Sequence, residues 1–219
     1  MSKPKPIDII DLGDARPVFV RTVPFFIEIG TSDFDTFEHL GKEGWSGIFV
    51  EPVKKLLDNL ERFDSCHYEN SAILTYDGMT ELKYYDLEWA EGWQRGVGNT
   101  DMTRNHFHNP DLKDKEVVED VECMRLDTLI KKYNVEKIDY LKIDIEGREY
   151  MILMDYSWKI KPKKVKIEHT HWHQNNSNPI DWDWQHPTHQ ESLKTMSEKL
   201  QSLGYSVNIH KNDIVGVLE

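Results

Sequence analysis

The chain has 219 residues, enough for one ordinary domain with a substantial core. Its 39 acidic and 27 basic residues leave a net charge of -12, which argues against DNA or RNA as a partner because no local basic patch offsets it. Cys66 and Cys123 lack metal or redox spacing, and residues 1–14 contain no apolar run of signal or membrane length, so the expected setting is the cytoplasm, away from membranes.

In chain order, residues 1–23 read as a Pro-containing tail or docking segment, with a short entry stretch at Val18 to Val23. Phe25 to Ile29 predicts a buried strand, Gly30 to Asp35 a turn, and Thr36 to Glu43 a helix. Gly47 to Val50 predicts a second strand ending at Glu51, with Pro52 placed to open a helix over Val53 to Arg62. Further strands are predicted at His67 to Leu74, Leu82 to Leu87, Val117 to Leu126, Ile138 to Ile145 and Lys164 to Glu168, and a terminal antiparallel pair at Tyr205 to His210 and Ile214 to Leu218. Helices are expected at Asp127 to Tyr133, Arg148 to Asp155 and Gln190 to Leu203, the last stopped by Gly204. This alternation predicts an α/β fold, a mainly parallel sheet covered on both faces. It occupies residues 24–219 as one domain, interrupted by long loops near 88–114 and 169–189.

Two strand ends dominate the functional reading: Glu28-Ile29-Gly30-Thr31-Ser32 and Asp144-Ile145-Glu146-Gly147. Ligands of open parallel sheets bind beyond the carboxyl ends of the strands, near the point where the strand order reverses. Gly30 permits close approach of backbone to a ligand, and Glu51, ending the next strand, is placed to accept both hydroxyls of a ribose. The dinucleotide pattern G-x-G-x-x-G is absent, which disfavours a pyrophosphate and favours S-adenosylmethionine, with its amino-acid end and sulfonium. The competing reading of Glu28, Glu51, Asp144 and Glu146 is that they cap the helices that follow them.

The segments Glu28 to Thr36, Phe49-Val50-Glu51-Pro52, Arg125 to Leu129 and Asp139 to Glu149 together resemble the FkbM-type family of S-adenosylmethionine-dependent methyltransferases. That resemblance implies a three-layer, Rossmann-like class I methyltransferase fold. Its sheet would have seven mostly parallel strands and an antiparallel terminal hairpin. It also implies methyl transfer, usually to oxygen of sugars or other hydroxylated metabolites. Glu28, Gly30 and Thr31 would then lie along the methionine part of the cofactor, with Ser32 and Thr36 in the same loop. Glu51 and Pro52 would stand at the ribose, and Asn70, Ser71 and Ala72 would border the adenine.

Methylating a hydroxyl requires removal of its proton, by a base or with the help of a metal. Asp144 is the leading candidate, at the end of an apolar strand, where it is also expected among the residues that border the cofactor. Glu168, His169 and His171 end the neighbouring strand and suggest two arrangements. In one, Asp144, Glu168 and His169 hold Mg, Mn or Zn; in the other, His169 or His171 is the general base. Surface histidines are the third reading. Trp89, Trp93, Trp172, Trp182 and Trp184 fall in the two irregular stretches, where aromatic faces suit a sugar ring or simply fasten the loops. Competing functions are a methyltransferase-fold binding module without turnover, or a nicotinamide oxidoreductase.

Overall fold

Short apolar runs ending in glycine or acid become the strands of the central sheet. The structure is a computed structural model and describes residues 9–10, 18–19, 23–33, 36–91, 98–100, 110–169 and 189–219. Two short N-terminal strands, β1 (Ile9–Ile10) and β2 (Val18–Phe19), pair antiparallel. The central sheet then begins with β3 (Phe25–Ile29), followed by α1 (Glu38–Lys42), β4 (Ser46–Val50), α2 (Lys54–Asn59) and β5 (Cys66–Glu69).

After β5 the chain leaves the central sheet. Strands β6 (Ala72–Ile73), β7 (Gly78–Tyr85), β8 (Gly98–Asn99) and β9 (Glu116–Met124) form a separate four-stranded sheet in the order β6-β9-β7-β8. The continuous strand expected over His67 to Leu74 is therefore broken at Asn70-Ser71 and shared between two sheets. The strands expected at Leu82 to Leu87 and Val117 to Leu126 belong to the smaller sheet, β7 being a longer element that starts at Gly78. Polar–apolar alternation shows that a strand buries one face; it does not say against which layer.

The chain returns through α3 (Leu126–Lys132) to β10 (Tyr140–Ile143), α4 (Glu149–Asp155), β11 (Lys164–Glu168), α5 (His189–Ser202), β12 (Tyr205–His210) and β13 (Asp213–Leu218). The central sheet has seven strands in the order β12-β13-β11-β10-β3-β4-β5, and β13 runs antiparallel to both neighbours. This is the sheet that the family resemblance implied.

Alternation along β3 splits the core into two layers. Ile27 and Ile29 face one side, packing with Leu141, Ile143, Val165 and Ile167 against α3, α4 and α5. Phe26 faces the other side with Phe49, against Phe37, Leu40 and Leu57 of the α1 and α2 region. Leu56 of α2 and Val53 just before it enter a third cluster with Leu74, Leu82 and Val121 of the small-sheet region. Helix α2 thus fastens the small sheet beside the ends of the central strands.

Register places those ends in one row. Ile29 pairs with Ile143 and Val50, and Ile143 pairs with Ile167. The next residues, Glu168, Asp144, Gly30 and Glu51, therefore stand side by side. The order reverses between β3 and β10, so the row straddles the position where open α/β sheets form their ligand crevice.

Candidate functional site

A cavity of about 260 Å³ lies over this row. Its floor is the strand ends from Ile29 to Ser32, Val50 to Val53 and Asp144 to Glu146. Leu74, Leu82, Gly98 and Thr100 of the small-sheet region close the apolar side, and Lys142, Arg148 and Glu168 stand at the charged side.

Gly30 has φ of +77°, and a Cβ built on it would lie 1.7 Å from the Asp144 carbonyl oxygen. Only glycine lets β3 and β10 run together at this point. The amides of Gly30 and Thr31 both donate to the Val50 carbonyl, at 3.0 and 3.3 Å, and turn the chain beneath the cavity. Ser32 then adopts φ of 50° and donates its amide to Glu51 Oε2 at 2.9 Å, while Glu51 Oε1 accepts the Val53 amide at 2.9 Å. Glu51 is 5% exposed. Burial pushes its carboxyl up to about 7 against the pull of those two amides, and Asp33 adds to the rise.

Three hydroxyls in the lining, Thr31 Oγ1, Ser32 Oγ and Ser71 Oγ, are buried with no hydrogen-bond partner among the described residues. Buried hydroxyls are normally paired, so three beside one cavity point to a polar ligand that completes them. The donor set fits an adenosine-type cofactor: acceptor oxygens on Glu51 for ribose hydroxyls, free hydroxyls at both ends, and apolar Leu56, Leu74 and Leu82 for a base.

Not every expected residue faces this space. Glu28 is fully buried and does not line the cavity; its Oε2 accepts the Phe37 amide at 2.8 Å and its Oε1 pairs with Lys142 Nζ at 3.1 Å. The carboxyl is pushed up to about 7, first by burial, with Lys142 pulling the other way. Glu28 therefore anchors the start of α1. Thr36 accepts the Glu38 amide at 3.2 Å and also lies off the cavity. Asn70 is turned to the backbone, its amide donating to the carbonyls of Glu51 and Pro52 at 2.9 and 2.8 Å, so it holds the Glu51 loop and leaves the lining to Ser71 and Ala72. Pro52 is in the lining.

At the charged side, oxygens of Asp144, Glu146 and Glu168 lie within 4.8 Å of one another. Burial raises the Glu168 carboxyl far above the usual carboxylate range, and the neighbouring acids Asp144, Glu146 and Glu149 raise it further. Lys142 Nζ, 3.6 Å from Asp144 Oδ2, links this cluster to buried Glu28. The metal set expected from the sequence is thereby altered: Glu146 joins Asp144 and Glu168 as a group that could hold a divalent cation, and His169 is not in it. Alternation along β11 sends Glu168 to the cavity and His169 to the other side, where it is buried and its amide donates to the Asn212 carbonyl at 2.7 Å. His169 does not line the cavity. His171 lies outside the described residues, as do Trp93, Trp172, Trp182 and Trp184; Trp89 packs on Tyr85, ring centroids 5.7 Å apart.

Among the charged lining residues, Lys142, Glu146 and Arg148 were assigned no binding role from the sequence. A lysine within an apolar strand, level with a glutamate on the paired strand, is the signal for the first. For the second it is the two-residue offset from Asp144, disguised by a capping role that fits the same position.

Residues 25–207 match the family described as the methyltransferase FkbM domain. No curated protein sequence matches the chain. Two solved structures align with most of it. One is a fibrillarin/Nop5p complex, at 12% identity and TM-score 0.42, covering 93% of this chain and 75% of that one. The other is a mutant form of the 16S rRNA (adenine(1408)-N(1))-methyltransferase from Catenulisporales acidiphilia, at 9% identity and TM-score 0.38, covering 97% and 96%.

Proposed function

This chain belongs to the FkbM methyltransferase family, and on that premise we propose that it transfers a methyl group from S-adenosylmethionine to a hydroxyl of a carbohydrate or a related small metabolite. The observation that carries the cofactor half is the set of unpartnered buried hydroxyls on Thr31, Ser32 and Ser71, grouped with Glu51 around one cavity at the strand-order reversal. Glu51 would hold the ribose, Gly30 and Thr31 the amino-acid portion, and Ser71 the base edge. When bound, the cofactor supplies an electrophilic methyl group.

The protein's share in transfer to oxygen is to orient the acceptor hydroxyl and take its proton. Asp144 has 28% of its side chain exposed, so it is reachable from the open side of the cavity and is the group to accept that proton. Glu168, whose carboxyl is raised by burial and by its acidic neighbours, stands beside Asp144 in the same cluster. The acidic cluster also motivates assays with and without a divalent cation.

The test has two stages. Calorimetric titration with S-adenosylhomocysteine, beside NAD, should give specific binding to the first ligand alone, and Glu51→Ala should abolish it. Labelled S-adenosylmethionine is then offered with a panel of sugars and hydroxylated metabolites, with and without Mg or Mn. Binding of NAD instead would favour the oxidoreductase. Binding of S-adenosylhomocysteine with labelling confined to amine or ring-nitrogen acceptors would overturn transfer to oxygen.

A further inference from the structure

Asp144, Ile145 and Glu146 form one wall of the cavity, and the turn they enter is unusual for residues that carry side chains. Glu146 has φ of 58° and Gly147 φ of 111°, two consecutive left-handed residues between the end of β10 and the start of α4. An interior turn of this kind leaves amides pointing inward, where they need an acceptor. A single oxygen supplies it: Glu149 Oε1 accepts the Ile145 amide at 2.8 Å and the Gly147 amide at 3.1 Å. Glu149 is 2% exposed, is the first residue of α4, and does not itself line the cavity.

We propose that Glu149 is a positioning residue, whose carboxylate fixes the turn that aims Asp144 and Glu146 into the cavity. The two accepted amides flank Glu146 in sequence, so the left-handed backbone that brings its carboxylate beside those of Asp144 and Glu168 is fastened on both sides. The other side of the wall is fixed by the close approach of Gly30 to the Asp144 carbonyl. Asp144 is thus held between a glycine that admits its carbonyl and a glutamate that captures the next amide. Ile145, Glu146 and Arg148 reach the cavity from the same turn, so a loosened turn would deform the ligand site without opening the sheet. The inference rests on the reading of this cavity as the cofactor pocket.

The test compares wild type with Glu149→Gln, Glu149→Asp and Glu149→Ala, in amide hydrogen exchange and in calorimetric titration with S-adenosylhomocysteine. Gln keeps an acceptor oxygen at the same reach. Asp keeps the charge and the acidic helix start but is one carbon shorter. In the Asp and Ala variants, exchange at Ile145 and Gly147 should quicken and affinity should fall, each by about tenfold, as expected for a buried amide left without its acceptor. The amides of Leu141 and Ile143 in β10 should keep their wild-type rates, and Gln should restore both readouts. Wild-type behaviour of Asp and Ala, or damage in Gln equal to that in Ala, would overturn the proposal. Absence of S-adenosylhomocysteine binding by wild type would strike the cofactor reading alone, since the exchange rates at Ile145 and Gly147 still decide the role of Glu149.

Discussion

If Glu51 receives ribose hydroxyls, cofactor affinity must depend on pH in a way its burial dictates. In the unliganded protein the carboxyl titrates near 7 instead of the ordinary 4.5. Hydroxyl donors bind the ionised form, so the bound state pulls this value down. At pH 6 about one molecule in eleven has Glu51 ionised, and at pH 8 about ten in eleven; affinity for S-adenosylhomocysteine should therefore rise about tenfold across that window, or about 1.4 kcal/mol. Near pH 7, binding should release roughly half a proton, seen as a binding enthalpy that varies with buffer ionisation heat.

The stability of the unliganded protein carries the opposite sign. A folded-state value above the unfolded one means that the contribution is fully present below 4.5 and is lost as pH rises through about 7. Glu28 and Glu149, both also raised to about 7, add to that slope. The Glu51→Gln variant separates the effects, because it should flatten the pH dependence of binding while leaving the slope from the other two acids. Calorimetry at pH 6, 7 and 8 in two buffers is the assay. A wild-type affinity constant across the window, or proton uptake on binding, would refute the assignment of Glu51 to the ribose.

Other perturbations test the remaining parts of the site. Gly30→Ala places a Cβ against the Asp144 carbonyl at a φ of +77°, and it should cost about 3 kcal/mol or more in thermal or urea denaturation and remove cofactor binding. Lys142→Met leaves fully buried Glu28 without its ammonium partner, a loss of about 3–5 kcal/mol that the double variant with Glu28→Gln should largely recover. Leu82→Ala opens the small-sheet core where that residue is 1% exposed and also lines the cavity; a loss of about 2–5 kcal/mol and weaker S-adenosylhomocysteine binding are expected together. Asp144→Asn should lower methyl transfer to a hydroxylated acceptor by at least about a hundredfold while leaving S-adenosylhomocysteine affinity within about twofold. Retained turnover would remove Asp144 from proton transfer.

The central sheet was legible because its strands are short apolar runs punctuated by Gly30, Glu51 and Asp144, and because Gly204, just past the end of α5, marks the start of the terminal hairpin. The small sheet was not, since the residues from 66 to 74 read as one strand while the chain changes sheets at Asn70-Ser71. The pocket row was anticipated from strand ends, yet individual side-chain directions were harder. Glu28 stays out of the lining because it is fully buried one residue short of the strand end, with its oxygens taken by the Phe37 amide and by Lys142 across the paired strand. Alternation along β11 separates Glu168 from His169. Residue type identified the acids as chemically important; whether each meets ligand, lysine or backbone amide depends on register and on turns such as that at Glu146, which local sequence encodes only weakly.

The reversed strand β13 also bears on the order in which the molecule assembles. It lies between β11 and β12, pairing Lys164 with Val217 and Tyr205 with Leu218. Until residues 213–218 enter, β11 presents a row of unpaired backbone groups as a free edge, the kind of template that recruits other chains. Lys166 of β11 meets Asp213 of β13 at 3.4 Å, so the strand that covers this edge also brings the acid that its lysine pairs with.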